Sequence, residues 1–325
     1  MPRLVYRTIL AILVCLASPV SADNHGGENI ELPEPELAQI DDYHIEYFDF
    51  GPRDGEAIFF IHAGGIPNSL YGLALEPALH HYRKIVVHRR GYEGSSPIPT
   101  RFDFENPDFD SPMPYTFEQH AGDIVQLADH LGLPQVHLLG HTWGGSISLV
   151  VARDYPDRVK SLILIEPVIS VAGATPDLDV HPTEREAWLG ILEIARLLAD
   201  GGQQEYAELY AGRAFGPFGD IQIAMAPLSD FESYAANMDV MFFQDMPGWA
   251  TYSFTPEDFA RLGQATTYIF GTESSSTITI ANRYIGEARP QTNIVELEGA
   301  DHGLFLTRTA EIAEHMDAHI KWAGE

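Results

Sequence analysis

Residues 136–145 read Val136-His137-Leu138-Leu139-Gly140-His141-Thr142-Trp143-Gly144-Gly145, and this stretch decides the fold. Its apolar start predicts a β-strand that is buried on both faces, and the residues from Ser146 to Tyr155 predict a helix that follows at once. A strand that turns directly into a helix needs small residues beside the turn, because backbone from both sides crowds there. The pattern Gly140-x-Thr142-x-Gly144 therefore predicts a nucleophile elbow, which lifts one hydroxyl above the edge of the sheet.

The central residue of this turn is Thr142, whereas the usual pattern of an elbow has serine there. An elbow residue adopts a positive φ, which is especially unfavourable for a β-branched side chain. Strain of this kind costs roughly 1–3 kcal/mol and usually persists only at functional sites. Thr142 keeps a hydroxyl but adds a methyl group beside it, so slowed, altered and lost function are three open outcomes.

The first 22 residues have the pattern of a secretory signal peptide. Arg3 and Arg7 form a charged start, an apolar run follows from Thr8 to Val20, and small residues precede a cleavage site after Ala22. A membrane anchor is the alternative, but the apolar run is short for a comfortable span. We therefore predict a cleaved signal in a secreted or periplasmic bacterial protein, which does not remain attached to a membrane.

Charge and cysteine content narrow the classes of partner and site. The net charge is −28, and loss of Arg3 and Arg7 with the signal makes it −30. So acidic a surface is expected to repel nucleic acid and anionic lipid. The only cysteine, Cys15, lies in the signal, which excludes disulfides and thiolate metal sites from the mature chain. No phosphate-binding glycine loop or metal-binding histidine pair is present, so we predict no cofactor and no metal.

The rest of the chain alternates predicted strands and helices, which indicates an α/β fold with a mostly parallel, doubly wound sheet. Residues 23–39 are polar and predict a loose arm. The predicted strands are 43–50, 57–61, 84–88, the elbow strand, 160–165, 265–270 and 292–297, and the other predicted helices include 69–82, 116–131 and 309–323. The predicted division is a signal at 1–22, a core at 23–170 and 258–325, and a helical cap insertion at 171–257.

The insertion is rich in methionine and aromatic residues between 238 and 254. Such side chains suit an adaptable apolar wall of a pocket, and we assign Met241, Phe242 and Trp249 to the pocket of a small-molecule substrate. The alternative is that they form a small core of the insertion itself, and both can hold together.

Four segments of the chain together resemble the α/β-hydrolase superfamily. They are His62-Ala63-Gly64-Gly65, Arg90-Gly91-Tyr92-Glu93-Gly94-Ser95, the elbow, and Gly299-Ala300-Asp301-His302-Gly303. The resemblance runs from about Tyr43 to Trp322, with the insertion in the place of the family's cap. It implies a nucleophile at Thr142, a general base at His302, and an oxyanion hole formed by the backbone N–H groups of Gly64 and Trp143.

Two carboxylates remain candidates for the residue that orients the base. The family often places an aspartate at the position that Ser274 holds here, and Glu273 lies one residue earlier. A subset of the family places the acid after the strand that follows the elbow helix, and Glu166-Pro167 matches that pattern. We favour Glu166 and keep Glu273 as the alternative.

Three functions are compatible with these residues. The first is an exported, esterase-like hydrolase that acts on a small neutral, largely apolar ester, amide or lactone through Thr142, His302 and Glu166. The second is a non-hydrolytic, cofactor-free lyase or oxygenase on the same fold, in which His302 abstracts a proton and Thr142 only donates a hydrogen bond. The third is an inactive binding relative, for which the threonine at the elbow is the sign of lost chemistry.

Overall fold

The computed structural model describes residues 33–103, 113–169, 237, 239–251, 254–274 and 285–324, with the backbone alone at 242, 246, 250 and 251. The predicted signal peptide and residues 171–236 of the predicted cap lie outside the described residues, so both stay predictions. Chain contacts divide the protein into residues 1–34 and residues 35–325, and every element below belongs to the second unit. None of the described helices is long and apolar enough to cross a membrane.

The described part of the chain contains an eight-stranded sheet with the order β1-β2-β4-β3-β5-β6-β7-β8. Strand β2 pairs antiparallel with β1 and β4, and all the other neighbours are parallel. The predicted α/β class with a mostly parallel sheet is therefore confirmed. The strands are β1 Glu36–Ile40, β2 Tyr43–Phe50, β3 Ala57–Ile61, β4 Arg83–Val87, β5 Val136–His141, β6 Val159–Ile165, β7 Ala265–Gly271 and β8 Asn293–Leu297.

The central strands are covered on both faces. Successive side chains of a strand point to opposite faces of the sheet, and every residue of β3, β4 and β5 is buried. The α-helices among the described residues are α1 Tyr71–Ala74, α2 Phe117–His130, α3 Trp143–Asp154, α4 Met246–Thr251, α5 Pro256–Arg261, α6 Leu304–Thr307 and α7 Thr309–Ala323. Short 3₁₀ helices lie at Pro77–Leu79 and Pro156–Arg158, and a π-helical turn lies at Met241–Asp245.

The helix α2 shows how local sequence sets an element's start. Thr116 accepts a hydrogen bond from the backbone N–H of Gln119, whose side chain accepts one from the backbone N–H of Thr116. This reciprocal capping satisfies two N–H groups that a helix start otherwise leaves unpaired. The helix then buries an apolar stripe that includes Phe117 and Leu127, as its periodicity predicts.

Two predictions about the first third of the core are wrong. The end of the predicted loose arm, at residues 36–39, belongs to the edge strand Glu36–Ile40, which pairs with β2. Glu36 and Ala38 are poor strand formers, and only Ala38 and Ile40 are buried. The order therefore comes from pairing across a tight turn at Asp41, where φ is 49°. The predicted helix at 69–82 is reduced to α1 and a 3₁₀ turn, because Pro77 cannot continue a helix and holds the preceding residue extended.

Candidate active site

Thr142 occupies a sharp turn between the elbow strand and the elbow helix. β5 ends at His141, α3 begins at Trp143, and Thr142 between them has φ 52° and ψ −113°. The crowding is severe: a Cβ on Gly144 would lie 1.9 Å from the carbonyl oxygen of Ile61, and one on Gly140 would lie 2.2 Å from that of Gly144. Both glycines are therefore required for this turn, and the turn holds a β-branched residue in a strained conformation.

His302 lies between the elbow hydroxyl and a buried carboxylate. Its Nε2 is 3.3 Å from Oγ1 of Thr142, and its Nδ1 contacts Oε2 of Glu166. An ionised carboxylate only accepts hydrogen bonds, so Nδ1 donates to Glu166 and Nε2 faces the hydroxyl. The structure thus brings together three of the predicted residues, which come from the ends of β5 and β6 and from the turn after β8.

Glu166 is held in place by more than His302. It follows β6 directly, has a φ of 45° and is fully buried. Its other oxygen, Oε1, accepts hydrogen bonds from the backbone N–H of Gly271, at 2.9 Å, and from the hydroxyl of Ser274. The carboxylate is therefore fixed by donors on both oxygens. The alternative acid, Glu273, is exposed, and the structure does not bring its carboxylate to His302.

The two residues predicted to form an oxyanion hole are in contact, because Gly64 packs against the side chain of Trp143. Gly64 follows β3, and a Cβ on it would lie 2.4 Å from the Trp143 ring and 2.7 Å from Cγ of Met241. Within the described part of the chain, the N–H groups of Gly64 and Trp143 donate to no backbone or side-chain acceptor. Neither of the two predicted donors is therefore occupied by another acceptor in that part of the chain.

The predicted pocket residues come from the described end of the insertion. Met241 is buried and packs against Gly64. Trp249 is half-buried, and its indole N–H is buried without an acceptor among the described residues. The side chain of Phe242 lies outside the described residues. Met241 is therefore the predicted pocket residue that the structure places against the loop at residues 62–65, which carries the predicted oxyanion donor Gly64 and is called the oxyanion loop below.

His141, next to the elbow residue, is fully buried. Its ring centroid lies 4.0 Å from that of Phe305 and 5.3 Å from that of His302. Burial, with a smaller effect of the neighbouring His302, lowers the pKa of His141 well below its ordinary value. The ring is therefore neutral, and neither nitrogen has a hydrogen-bond partner among the described residues.

Sequence reasoning missed a buried polar network behind the oxyanion loop. Asp245, fully buried on the π-helical turn, accepts hydrogen bonds from Arg89 and Tyr92, both at 2.7 Å, and its Oδ1 lies 2.9 Å from Nε2 of His120. Burial opposes ionisation of Asp245, but Arg89 and His120 overcome it and hold its pKa well below the ordinary range. One signal was available: an acid within an apolar run, as Asp245 is, indicates a buried partner.

Two residues of this region, His62 and Arg89, have shifted pKa values. Burial, followed by the charge of Arg89, lowers the pKa of His62 well below its ordinary value. For Arg89 burial acts to lower the pKa, but the charge of Asp245 raises it above the ordinary value. Arg89 and Asp245 therefore form a fully buried ion pair, and His62 beside them stays neutral.

Comparison with known proteins agrees with this architecture. A family model described as alpha/beta hydrolase fold matches residues 56–309. An epoxide hydrolase 2 from Siraitia grosvenorii is 34% identical over 112 residues, which are 34% of this chain and 31% of that protein. The chain spans about a third to two fifths of the length of the curated relatives it matches, from 31% to 41%.

Solved structures match a larger share of the chain. A thermophilic esterase from Thermogutta terrifontis has a TM-score of 0.69 and 19% identity, and the match covers 90% of this chain and 99% of that one. An enol-lactonase from Burkholderia xenovorans LB400 has a TM-score of 0.64 and 18% identity, with 88% and 100% covered. At these identities the likeness concerns the fold.

Proposed function

We propose that this chain, which belongs to the alpha/beta hydrolase family, is a hydrolase that uses Thr142 as its nucleophile. The observation that carries the proposal is the continuous series of contacts from the Thr142 hydroxyl through the two nitrogens of His302 to Glu166. A hydroxyl is a poor nucleophile near neutral pH until a base takes its proton. In this arrangement His302 is the base and Glu166 orients it.

The proposed reaction has two steps of the same kind. His302 Nε2 takes the proton of the Thr142 hydroxyl while Oγ1 attacks the carbonyl carbon, and the protonated His302 then gives that proton to the leaving group. Water attacks the resulting acyl-threonine with His302 again as base, which regenerates the hydroxyl. Glu166 accepts the hydrogen bond from the Nδ1–H group throughout and does not take the proton, so it fixes the tautomer and stabilises the imidazolium.

Stabilisation of the negative oxygen is assigned to the backbone N–H groups of Gly64 and Trp143. Trp143 directly follows Thr142, Gly64 packs against the Trp143 ring, and neither N–H group has an acceptor in the described part of the chain. A single donor of this kind is worth about 2.7–4 kcal/mol in a transition state. The availability of both supports acyl chemistry over a role in which Thr142 only donates a hydrogen bond.

The proposed substrate is a small neutral, largely apolar ester, amide or lactone. The oxyanion loop is flanked by the Trp143 ring and by Met241, and an apolar wall favours an uncharged acyl group. The net charge of −28 disfavours anionic substrates at long range. We further propose export to the periplasm or medium, which rests on the signal pattern of residues 1–22.

The test uses the purified chain without residues 1–22, with Thr142→Ala, Thr142→Ser and His302→Ala. A fluorophosphonate probe and short-chain nitrophenyl esters are the reagents. We expect labelling at Thr142, turnover that is lost in Thr142→Ala, and faster turnover in Thr142→Ser, because serine removes the methyl group from a strained turn.

Two other outcomes would replace the proposal. No labelling or turnover in the unmodified chain, with both gained in Thr142→Ser, would indicate an inactive binding relative. Turnover of a substrate that persists in Thr142→Ala but disappears in His302→Ala would indicate proton abstraction without a covalent intermediate.

A further inference from the structure

The carbonyl oxygen of Ala63 is held by two donors, and it belongs to the same peptide group as the N–H of Gly64. His62 Nδ1 lies 2.5 Å from this oxygen and Arg89 Nη2 lies 3.2 Å from it. In a trans peptide the C=O and N–H bonds lie in one plane and point in opposite directions. Donors that fix the oxygen on one side therefore fix the direction of the Gly64 hydrogen on the other.

The backbone of Arg89 sets the tautomer of His62. The Arg89 N–H donates to His62 Nε2 at 3.0 Å, so the single proton of this neutral ring is on Nδ1. Nδ1 therefore donates to the Ala63 oxygen. The Nε of Arg89 also donates to the carbonyl oxygen of His62, at 3.2 Å. Arg89 thus donates directly to the carbonyl oxygens of His62 and Ala63. Its backbone N–H also holds the Ala63 oxygen indirectly, through the His62 ring.

Arg89 is itself held in place by Asp245. Its Nη2 donates to Asp245 at 2.7 Å, and the other oxygen of Asp245 is held by His120 Nε2 at 2.9 Å. Tyr92 donates to the same Asp245 oxygen as Arg89 and accepts the N–H of Gly65 at 3.3 Å. The loop is therefore held at the peptide before Gly64 and at the residue after it, and both connections lead to Asp245.

We propose that Arg89 is a positioning residue that orients the Ala63–Gly64 peptide so that the Gly64 N–H meets the oxyanion, and that Asp245 holds Arg89 in place. This inference rests on the proposed function, since it assumes that an oxyanion forms at Gly64. A charged donor on the carbonyl also polarises the peptide, which makes its N–H a stronger donor.

The π-helical turn that carries Asp245 connects the network to the packing around Gly64. Asp245 and Met241 lie at the two ends of one π-helical turn, and Met241 packs against Gly64 itself. Single π-helical turns break the regular ladder and are frequent at functional sites. This turn therefore fixes the oxyanion loop at two points, by packing at Gly64 and by charge through Arg89.

The first test compares an ester with the matching thionoester, whose developing negative charge lies on sulfur, a weak hydrogen-bond acceptor. Arg89→Lys keeps the charge for Asp245 but has no planar fork to reach both carbonyls. We expect kcat/KM for the ester to fall between about 10-fold and 100-fold, below the ~10²–10³-fold loss for removal of a donor. The thionoester should lose much less, so the ratio of the two rates shrinks while KM stays within about two-fold.

Two controls separate positioning from general damage. Arg289→Lys changes another buried arginine, which donates to the carbonyl oxygens of Leu262 and Gln264, and should leave the ratio unchanged. Glu166→Gln should slow both substrates equally, because it acts on the base. An unchanged ester-to-thionoester ratio in Arg89→Lys would overturn the inference.

The second test needs no turnover. Protein labelled with ¹³C-carbonyl alanine and ¹⁵N-glycine gives signals from Ala–Gly pairs, and Ala63→Ser identifies the Gly64 signal by removing it. We expect the Gly64 amide proton to move upfield in Arg89→Lys and Asp245→Asn but not in Arg289→Lys. If these variants unfold, Tyr92→Phe serves, with a smaller upfield shift expected. A stationary signal overturns the inference even if the chain hydrolyses no ester, which would instead defeat the proposed function.

Discussion

Replacement of Glu166 by glutamine isolates the role of the carboxylate, and the structure fixes how the new amide must sit. The backbone N–H of Gly271 and the hydroxyl of Ser274 both donate to Oε1. The amide oxygen of Glu166→Gln therefore takes that position, and the NH₂ group faces His302 Nδ1. Two donors then oppose each other, so His302 carries its proton on Nε2 instead, where it cannot accept the proton of Thr142.

The expected loss follows from this forced tautomer. The equivalent amide substitution in a serine protease lowers kcat about 10⁴-fold, which at 1.36 kcal/mol per factor of ten is about 5 kcal/mol of transition-state stabilisation. We expect a similar fall in kcat/KM for a short-chain nitrophenyl ester. Glu273 is exposed and serves as the matched control. Its replacement in Glu273→Gln should change kcat/KM by no more than about two-fold, because surface substitutions away from such sites have small effects.

Thermal unfolding of both variants shows whether the fold is kept. A tautomer shift also has its own signature, because ¹⁵N spectra of His302 distinguish a protonated Nδ1 from a protonated Nε2. The reasoning is refuted if Glu166→Gln keeps more than a tenth of the unmodified rate, or if Glu273→Gln loses as much.

Three further predictions concern stability. Thr142→Gly should raise the free energy of unfolding by about 1 kcal/mol, measured in urea, because glycine accepts the φ of 52° without strain; a decrease would contradict the strain at the elbow. Burial lowers the pKa of His319 to about 4, so its stabilising contribution is present above its ordinary pKa near 6.5 and lost as the pH falls towards 4. His319→Gln should reduce the loss of stability between pH 7.5 and 4.5 by about 2 kcal/mol, and equal losses in both proteins would exclude this. Thr116→Ala should destabilise the fold by about 1 kcal/mol at any pH through loss of the capping box, and a change below about 0.3 kcal/mol would show that the cap is unimportant.

The parts of the fold that sequence predicts well are those set by local pattern. Tyr43–Phe50, Ala57–Ile61 and the helix Thr309–Ala323 have the predicted bounds, because alternation, a short apolar run and helical periodicity each report burial directly. The elbow follows from glycine spacing, since Gly140 and Gly144 have no room for a Cβ. Membership of the hydrolase family follows from the same spacing together with the residues around His302.

The parts that sequence predicts poorly depend on partners far along the chain. The strand Glu36–Ile40 has a weak pattern of its own and is ordered by β2. The pair of Arg89 and Asp245 joins residues 156 positions apart, and neither residue indicates the other. The choice between Glu166 and Glu273 also depends on which strand end faces the histidine, so the sequence favours Glu166 without excluding Glu273.

The neutral ring of His141 gives this protein a built-in reporter. Its ring centroid lies 4.0 Å from that of Phe305 and 5.3 Å from that of His302, and burial keeps it uncharged. A positive charge that appears on His302 during turnover would shift the resonances of His141 without protonating it. The resonances of His141, an unaltered side chain, would then report the fraction of His302 that is charged.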